Sequence, residues 1–416
     1  MEEYTKRAFT YIKPIEVATG PCKEVVKMGR EANLFELPFC YHAIGDGGRY
    51  TFHNLTICKD PDTEWINVGQ YCCEIYSERR CVVTPYAYTN FVQIYTTKYE
   101  ARGQSMPVAI ALMGDPVYAL AATIVPPPGI SEFDIAGGLR GAPMELVRCE
   151  TSDLLVPADA EVVIEGELRP FERLPEGPKI ESFGFSVGPR QPLYAIRVNC
   201  ITHRANPLIT VFHMSHWLES SQILVDENLF MGRIPLFKRL GFPSRKGGTE
   251  AISRLGNVIV TAIRRSPDPD FFGRIYRQSR AYGAFWVLPY NWFIDEEVPW
   301  YKPEEVVEAV FTQADPARDY YRTEPACPTM TISASWMEPE DRAKHFRGGM
   351  QKHPHLVVDA TTKEEPPLGV RRMWFESAFP EEVQRWVVDN WKRWGFEEEP
   401  EWYKGWFDLD VIGMVP

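Results

Sequence analysis

Residues 49–80 read RYTFHNLTICKDPDTEWINVGQYCCEIYSERR. Runs of β-branched and aromatic residues are broken by a turn-forming Lys-Asp-Pro-Asp-Thr segment, the pattern of successive β-strands. Within the second run stand Cys72 and Cys73. Side chains of strand neighbours point to opposite faces, so one thiol can face a site and the other the core. Nine cysteines is an odd number and no Cys-x-x-Cys pair occurs, so disulfide and zinc-finger readings are both weak.

Outward from this stretch the β character persists. PVAIALMGDP (107–116) is an apolar run closed by Gly-Asp-Pro, a buried strand followed by a turn. AEVVIEGELRPF (160–171) alternates as a strand does, and LYAIRVNCITHR and PLITVFHMSHW add two more. Residues 22–217 therefore read as mainly β. Between them, ALAATIVPPPGISEFDIAGGLRG (119–141) passes a triple proline and starts a new element with Ser131 as its N-cap.

After Trp217 the pattern changes. SSQILVDENLFMGRIPLFKRLGFP (220–243) reads as helical, GNVIVTAIRR and GAFWVLPY as strands, and DPDFFGRIYRQSRAYG (268–283) as a helix between them. KPEEVVEAVFTQ (302–313) opens with Pro303 and two glutamates, which suit a helix start and its dipole. This alternation from about 220 to 360 is an α/β arrangement. FPEEVQRWVVDNWKRWG (379–395) puts Val383, Trp386, Val387, Trp391 and Trp394 on one helical face ended by Gly395, a stripe expected to pack on its own domain or a subunit partner.

Composition limits the function classes. A length of 416 residues suggests two or three domains, and 44% hydrophobic with 25% charged residues is globular. A net charge of −12 argues against nucleic acid and anionic membrane as partners. The first seventeen residues hold no apolar run for a signal peptide, and no stretch reaches about 18 apolar residues, so a cytoplasmic location is expected.

Three constellations can carry chemistry. LPEGPKIESFG (174–184) puts Glu176 and Glu181 in a Pro/Gly-flanked loop, where two carboxylates can be tuned separately for acid–base work; two glutamates close in sequence are more commonly solvated charge. HMSHWLE offers His213, His216 and Glu219 at zinc-ligand spacing if helical, but the strand-like run before it would put the two histidines on opposite faces. Gly137, Gly138 and Gly141 could admit a phosphate or a ring to the backbone, although such glycines more often serve tight turns.

Taken together, several segments resemble the UbiD family of prenylated-flavin-dependent decarboxylases. They are PCKEVVKMGREANLFELPFCYH, DGGRYTFHNLTICKDPDTEWINVGQY, PVAIALMGDP, ISEFDIAGGLRGAPMELVRCETSDLLVPADAEVVIEGEL, PEGP, FTQADPARD and LVVDATTK, in family order over most of residues 20–363. The resemblance implies an α+β chain: an N-terminal extension (1–20), a central split β-barrel of flavin-reductase type (21–222), a C-terminal α/β domain (223–365) and a helical tail (366–416). It implies a decarboxylase, or reversible carboxylase, of an aromatic or α,β-unsaturated acid. The cofactors would be prenylated FMN, Mn2+ (or Mg2+ or Fe2+) and K+. Partners would be a flavin prenyltransferase as cofactor supplier and further subunits, in a homo-oligomer or with a second family member. The alternative is a non-catalytic or partly catalytic subunit of a multi-subunit enzyme.

By the same resemblance, the metal ligands fall on Asn67, Asn90 and Glu132, with Asn90 where the family has histidine; an amide carbonyl still suits a hard cation. Val68, Thr89, Ala121 and Ala122 join them as cofactor contacts. The family's Glu–Arg–Glu network falls on Glu176 and Glu181, with Cys72 at the arginine position. Cysteine has neither the charge nor the fork that would hold a carboxylate, and Arg79 and Arg80 on the next turn are the candidates to reach in instead. Glu181 would be the proton donor and Glu176 its partner in the ion network. Family members usually carry a further domain before the segment that begins here near Pro21, and a lysine near the C-terminal motif is replaced by His355.

Overall fold

The computed structural model describes residues 2–85, 89–112, 114–124, 126, 129–180, 186–187, 190–211, 251–255, 258–263, 290–296, 298–300, 302–322, 340, 356–361 and 379–397. His213, His216, Glu219, Glu181, His355 and the helices expected at 220–243 and 268–283 lie outside these residues. Two compact units are present, Met1–Thr362 and Lys363–Pro416.

In chain order the first unit opens with helix α1 (Glu2–Ala8), β1 (Ile15–Val17), β2 (Val25–Met28), β3 (Arg49–Lys59), β4 (Ile66–Ser77) and β5 (Arg80–Val83). Helix α2 (Asn90–Ile94), β6 (Met106–Leu112), α3 (Val117–Ala121), α4 (Glu132–Arg140), β7 (Glu145–Arg148) and β8 (Leu155–Pro157) follow. The long β9 (Val162–Glu176), the short pair β10 (Lys179–Ile180) and β11 (Ser186–Val187), and β12 (Gln191–His203) complete the β region.

Six of these strands close an antiparallel barrel in the order β12-β5-β4-β3-β6-β9, with β9 pairing back to β12. Closure needs strands long enough to bend past a corner. β12 does so through register shifts between Tyr194 and Ile196 and between Val198 and Cys200. Both faces of the central strands are covered. Inside, Cys58, Cys73, Cys81, Ile110, Ile164 and Ile196 belong to one apolar cluster. Outside, Ile57, Ala109, Ala111 and Val163 pack with Phe133 and Ile135 of α4. Double burial explains why 107–112 reads as a continuous apolar run rather than an alternating one.

Helix α4 is the hub of the outer layer. Gly137 and Gly138 sit mid-helix, where the backbone of residues 7–12 crosses; a Cβ on Gly138 would lie 1.9 Å from the Thr10 carbonyl oxygen. Neither makes a phosphate loop or a turn. Only Gly141 serves chain reversal, as the left-handed C-cap at φ 80°. The crossing segment is held by Ile12 N–H donating to the Asp134 carbonyl at 3.0 Å, and β1 then pairs in parallel with β7.

Farther along the unit, β13 (Ala251–Leu255), β14 (Val258–Ile263), β15 (Tyr290–Asp295), helix α5 (Pro303–Gln313), β16 (Tyr320–Arg322) and β17 (Leu356–Ala360) form a mixed sheet. β14, β15 and β17 run parallel in its middle, with antiparallel β13 and β16 at the edges. Helix α5 buries Val306, Ala309 and Val310 against Val260, Ile294 and Val358. This is the expected α/β arrangement, and the chain is α+β with a closed barrel. Of the strand expected at 283–290, only Tyr290 lies among the described residues, and it opens β15.

In the second unit, α6 (Glu381–Asn390) ends in a short 3-10 turn and at Gly395 with φ 92°. The expected Trp stripe is not a buried face, since α6 buries none of its residues. Trp386 instead meets Trp394 edge to face at 5.1 Å, and Trp391 stacks on Phe396 at 4.3 Å.

Candidate active site

Strand β4 carries two of the expected site residues, Asn67 near its start and Cys72 at its middle. At a rise of about 3.3 Å per residue, Asn67 and Cys72 stand on the order of 17 Å apart.

At the Asn67 end the decisive residue is Glu132. Ser131 caps α4 through a reciprocal box: its Oγ accepts from Phe133 N–H at 3.3 Å, and Asp134 accepts from Ser131 N–H at 3.3 Å. The cap fixes Glu132 at the first helical position. There its Oε2 accepts from Val68 N–H at 2.8 Å, across 64 residues of sequence. Glu132 is 4% exposed and Asn67 2% exposed. Asn67 Nδ2 lies 4.0 Å from Cys58 Sγ, and Cys58 in turn feels the charge of Glu132. Burial pushes the Glu132 carboxyl up to about 8. Among the described residues no lysine or arginine pairs with it.

A buried carboxylate beside an amide, with no cation of its own, fits a divalent ion that prefers oxygen ligands. Among the described residues no three His, Cys, Asp or Glu side chains group as metal ligands, so the amide of Asn67 would be needed to complete such a set. Ala121 packs in the same cluster as Val68 and Phe133, with Ala122 beside it. Gln70 ties α3 to β4 by donating to the Ala119 carbonyl at 2.9 Å. Asn90 is not brought to this group by any hydrogen bond to Asn67 or Glu132; it opens α2, where Thr89 is the N-cap and accepts from Val92 N–H at 3.4 Å.

At the other end of β4 the chemistry is denser. Tyr50 lies opposite Glu74 in the β3–β4 register. Its phenol oxygen is 3.0 Å from Glu74 Oε2 and 3.0 Å from Glu176 Oε1. All three residues are buried. Glu74 also accepts from Gly177 N–H at 2.9 Å and is ion-paired with Arg190. A Cβ on Gly48 would meet Glu74 Oε1 at 2.6 Å, so only glycine lets the 46–48 loop close over this carboxylate. Burial raises the Glu176 carboxyl above its ordinary value, and Lys179 and the Tyr50 hydroxyl only partly oppose that. Burial and both neighbouring carboxylates raise the Tyr50 phenol.

Cys72 faces this group. It packs with Tyr50, Phe52 and Ile180, and burial raises its thiol while Lys179 pulls the other way. Cys73 lies in the barrel core as expected, in the same cluster as Cys81. Neither Arg79 nor Arg80 replaces the missing arginine. Arg80 is bound to Glu172 at 3.0 Å; Arg190 is the cation paired with Glu74, and Lys179 is the one whose charge acts most on Glu176. Tyr50, Glu74, Lys179 and Arg190 were not picked out from the sequence. Glu74 was within reach, because strand alternation puts it on the same face as Cys72. Arg190 was not, since its approach depends on the turn after Glu176.

Residues 13–216 match the UbiD family, described as a 3-octaprenyl-4-hydroxybenzoate carboxy-lyase Rift-related domain. An uncharacterized protein of Synechocystis sp. is 32% identical over 72% of this chain and 60% of its own length. Pyrrole-2-carboxylic acid decarboxylase of Pseudomonas aeruginosa is 26% identical over 92% of this chain and 78% of its own. Among solved structures, vanillic acid decarboxylase of Sedimentibacter hydroxybenzoicus in its closed form superposes with a TM-score of 0.77, at 24% identity, over 95% of this chain and 81% of that one. The UbiD-class enzyme HmfF of Pelotomaculum thermopropionicum, in complex with prenylated FMN, gives 0.72 at 22% identity, over 92% and 82%. Residues 13–216 form a UbiD-family domain. It spans less than two thirds of the Synechocystis relative.

Proposed function

We propose that the protein is a decarboxylase, reversible to a carboxylase, of a small aromatic or heteroaromatic carboxylic acid, and that it uses prenylated FMN. The observation that carries this reading is the arrangement along β4: at one end a buried Glu132 near Asn67, with no lysine or arginine paired to it among the described residues, and towards the other a buried carboxylate–phenol–carboxylate unit. A divalent metal such as Mn2+, with K+, would sit at the first end through Asn67 and Glu132, with Asn90 as a further candidate, and would hold the phosphate of the flavin. Val68, Thr89, Ala121 and Ala122 would border it. The modified flavin supplies the electron sink for cleavage of the bond to CO2. The chain's own groups bind the acid, exclude water and supply the proton that takes the place of the carboxylate. Glu176 and Glu181 are the acid–base pair in this reading, with Cys72 lining the site without a charge.

Support comes from the relatives' names, two of which are decarboxylases of a pyrrole and a benzenoid acid, and from the flavin in HmfF. Arg190, ion-paired with Glu74, offers a guanidinium in the group that Cys72 faces, which favours the enzyme over the reading as a non-catalytic subunit. A flavin prenyltransferase would furnish the cofactor, and self-assembly or a second family subunit would complete the enzyme.

The test is co-expression with a flavin prenyltransferase, followed by absorption spectra, mass analysis and assay against a panel of pyrrole, furan and phenolic acids. Bound prenylated FMN, a divalent metal and CO2 release are expected. A protein that stays flavin-free, or that binds the cofactor and decarboxylates none of the acids, overturns the reading.

A further inference from the structure

Tyr50 brings one hydroxyl hydrogen to two carboxylates. Its oxygen lies 3.0 Å from each, yet it can donate to only one. The second short contact needs a second proton, which one of the carboxyls must carry. Glu74 is the ion-paired member, held by Arg190 and by Gly177 N–H. Glu176 is 6% exposed; its charged neighbours are Lys179, Glu74 and Arg190, and the Cys72 thiol is a further titratable one. The consistent assignment has a protonated Glu176 donating to the phenol oxygen while the phenol donates to Glu74. The two ends of this chain differ in access. Glu74 and Arg190 line a cavity of about 590 Å³ together with Arg49, Tyr41 and Tyr76, of which Tyr41 is 60% exposed. Glu176 does not line it.

We propose that Glu74, Tyr50 and Glu176 form a proton relay that recharges the active site from this cavity, with Arg190 as its positioning residue. The proposal rests on the decarboxylase reading, because each turnover that replaces a carboxylate by hydrogen consumes one proton. The electron pair of the broken carbon–carbon bond stays on the substrate carbon, and CO2 leaves. Glu176 gives up its proton towards the donor at that carbon. The Tyr50 hydroxyl proton then moves to Glu176, and Tyr50 is reprotonated by Glu74, which takes a proton from water in the cavity. Arg190 keeps Glu74 oriented at the cavity wall. One solvent proton enters and one appears in the product.

The stored proton is read without substrate. Infrared difference spectra of the full chain in H2O and D2O, taken on a Glu132→Gln background so that this second raised carboxyl does not contribute, should show a carboxylic-acid C=O band at neutral pH, lost on adding Glu176→Gln and displaced on adding Tyr50→Phe. In the flavin-loaded enzyme, Tyr50→Phe should lower kcat by about a hundredfold, the scale of one acid–base group, with KM unchanged and a larger solvent deuterium isotope effect. Glu74→Gln, which keeps the volume, should do the same, and Arg190→Lys should retain more activity than Arg190→Met. Absence of the band overturns the relay, as does parental kcat and isotope effect in both Tyr50→Phe and Glu74→Gln. A protein that shows the band but decarboxylates nothing when loaded overturns the decarboxylase reading and leaves the stored proton standing.

Discussion

Glu176 illustrates what a single side chain owes to its surroundings. Its loop and the resemblance mark it as a candidate; the structure adds burial beside Tyr50 and Glu74, which raises its hold on a proton. The sign of the stability effect follows. The folded state binds a proton that the unfolded chain releases near the ordinary 4.5, so this group lowers stability as pH climbs from there through its raised folded value. Glu176→Gln should therefore remove a negative slope of at most about 1.4 kcal/mol per pH unit, the value for one proton. Denaturant titrations at several pH values check this, and parallel curves for parent and variant would contradict it. Of the residues found in the two clusters, Glu176 was singled out by its Pro/Gly-flanked loop and Cys72 by its place in a strand, whereas Asn67 and Glu132 came from the family resemblance alone. Arg190 was illegible because nothing local to the PRQ stretch indicates that its guanidinium returns to a carboxylate 116 residues earlier.

At the scale of elements, local rules did well where local forces decide. Ser131 marks the start of α4 and Gly395 marks a helix end. The same rules misread Gly137 and Gly138, whose function lies in what crosses them rather than in their own backbone. Gly138→Ala would put a methyl 1.9 Å from the Thr10 carbonyl and 2.5 Å from that of Arg7. It should displace the segment from α4 and cost about 2 kcal/mol, typical of overpacking. Thermal unfolding with proteolysis of residues 1–15 measures both effects, and parental stability with an uncut segment would refute the contact. The α6 stripe is the converse case: amphipathic spacing was read correctly, but spacing says nothing about whether a partner covers it.

Across the whole molecule, alternation and turn residues made the strands legible, whereas barrel closure was implied only by family resemblance. Closure rests on pairings such as Thr202 with Val163 that no local pattern encodes. The proposed cofactor site is tested at this scale, because Glu132 and the carboxylate unit are joined through β4 and the barrel wall. Binding of flavin and metal at 100 times Kd should raise stability by about 2.7 kcal/mol. Glu132→Ala should abolish the thermal shift produced by Mn2+ with prenylated FMN while leaving the flavin-free protein folded. An undiminished shift would remove Glu132 from the cofactor site.

The pairing of β12 with β9, β5 and β2 bears on how the chain reaches this state during synthesis. Until residue 203 has left the ribosome, the barrel lacks its sixth stave, and β5 and β9 expose edges rich in valine and isoleucine. Non-local sheets form slowly and their open edges invite association with other chains. The interval between translation of β9 and β12 is therefore the nascent protein's exposure to misassembly, and chaperone capture should concentrate there.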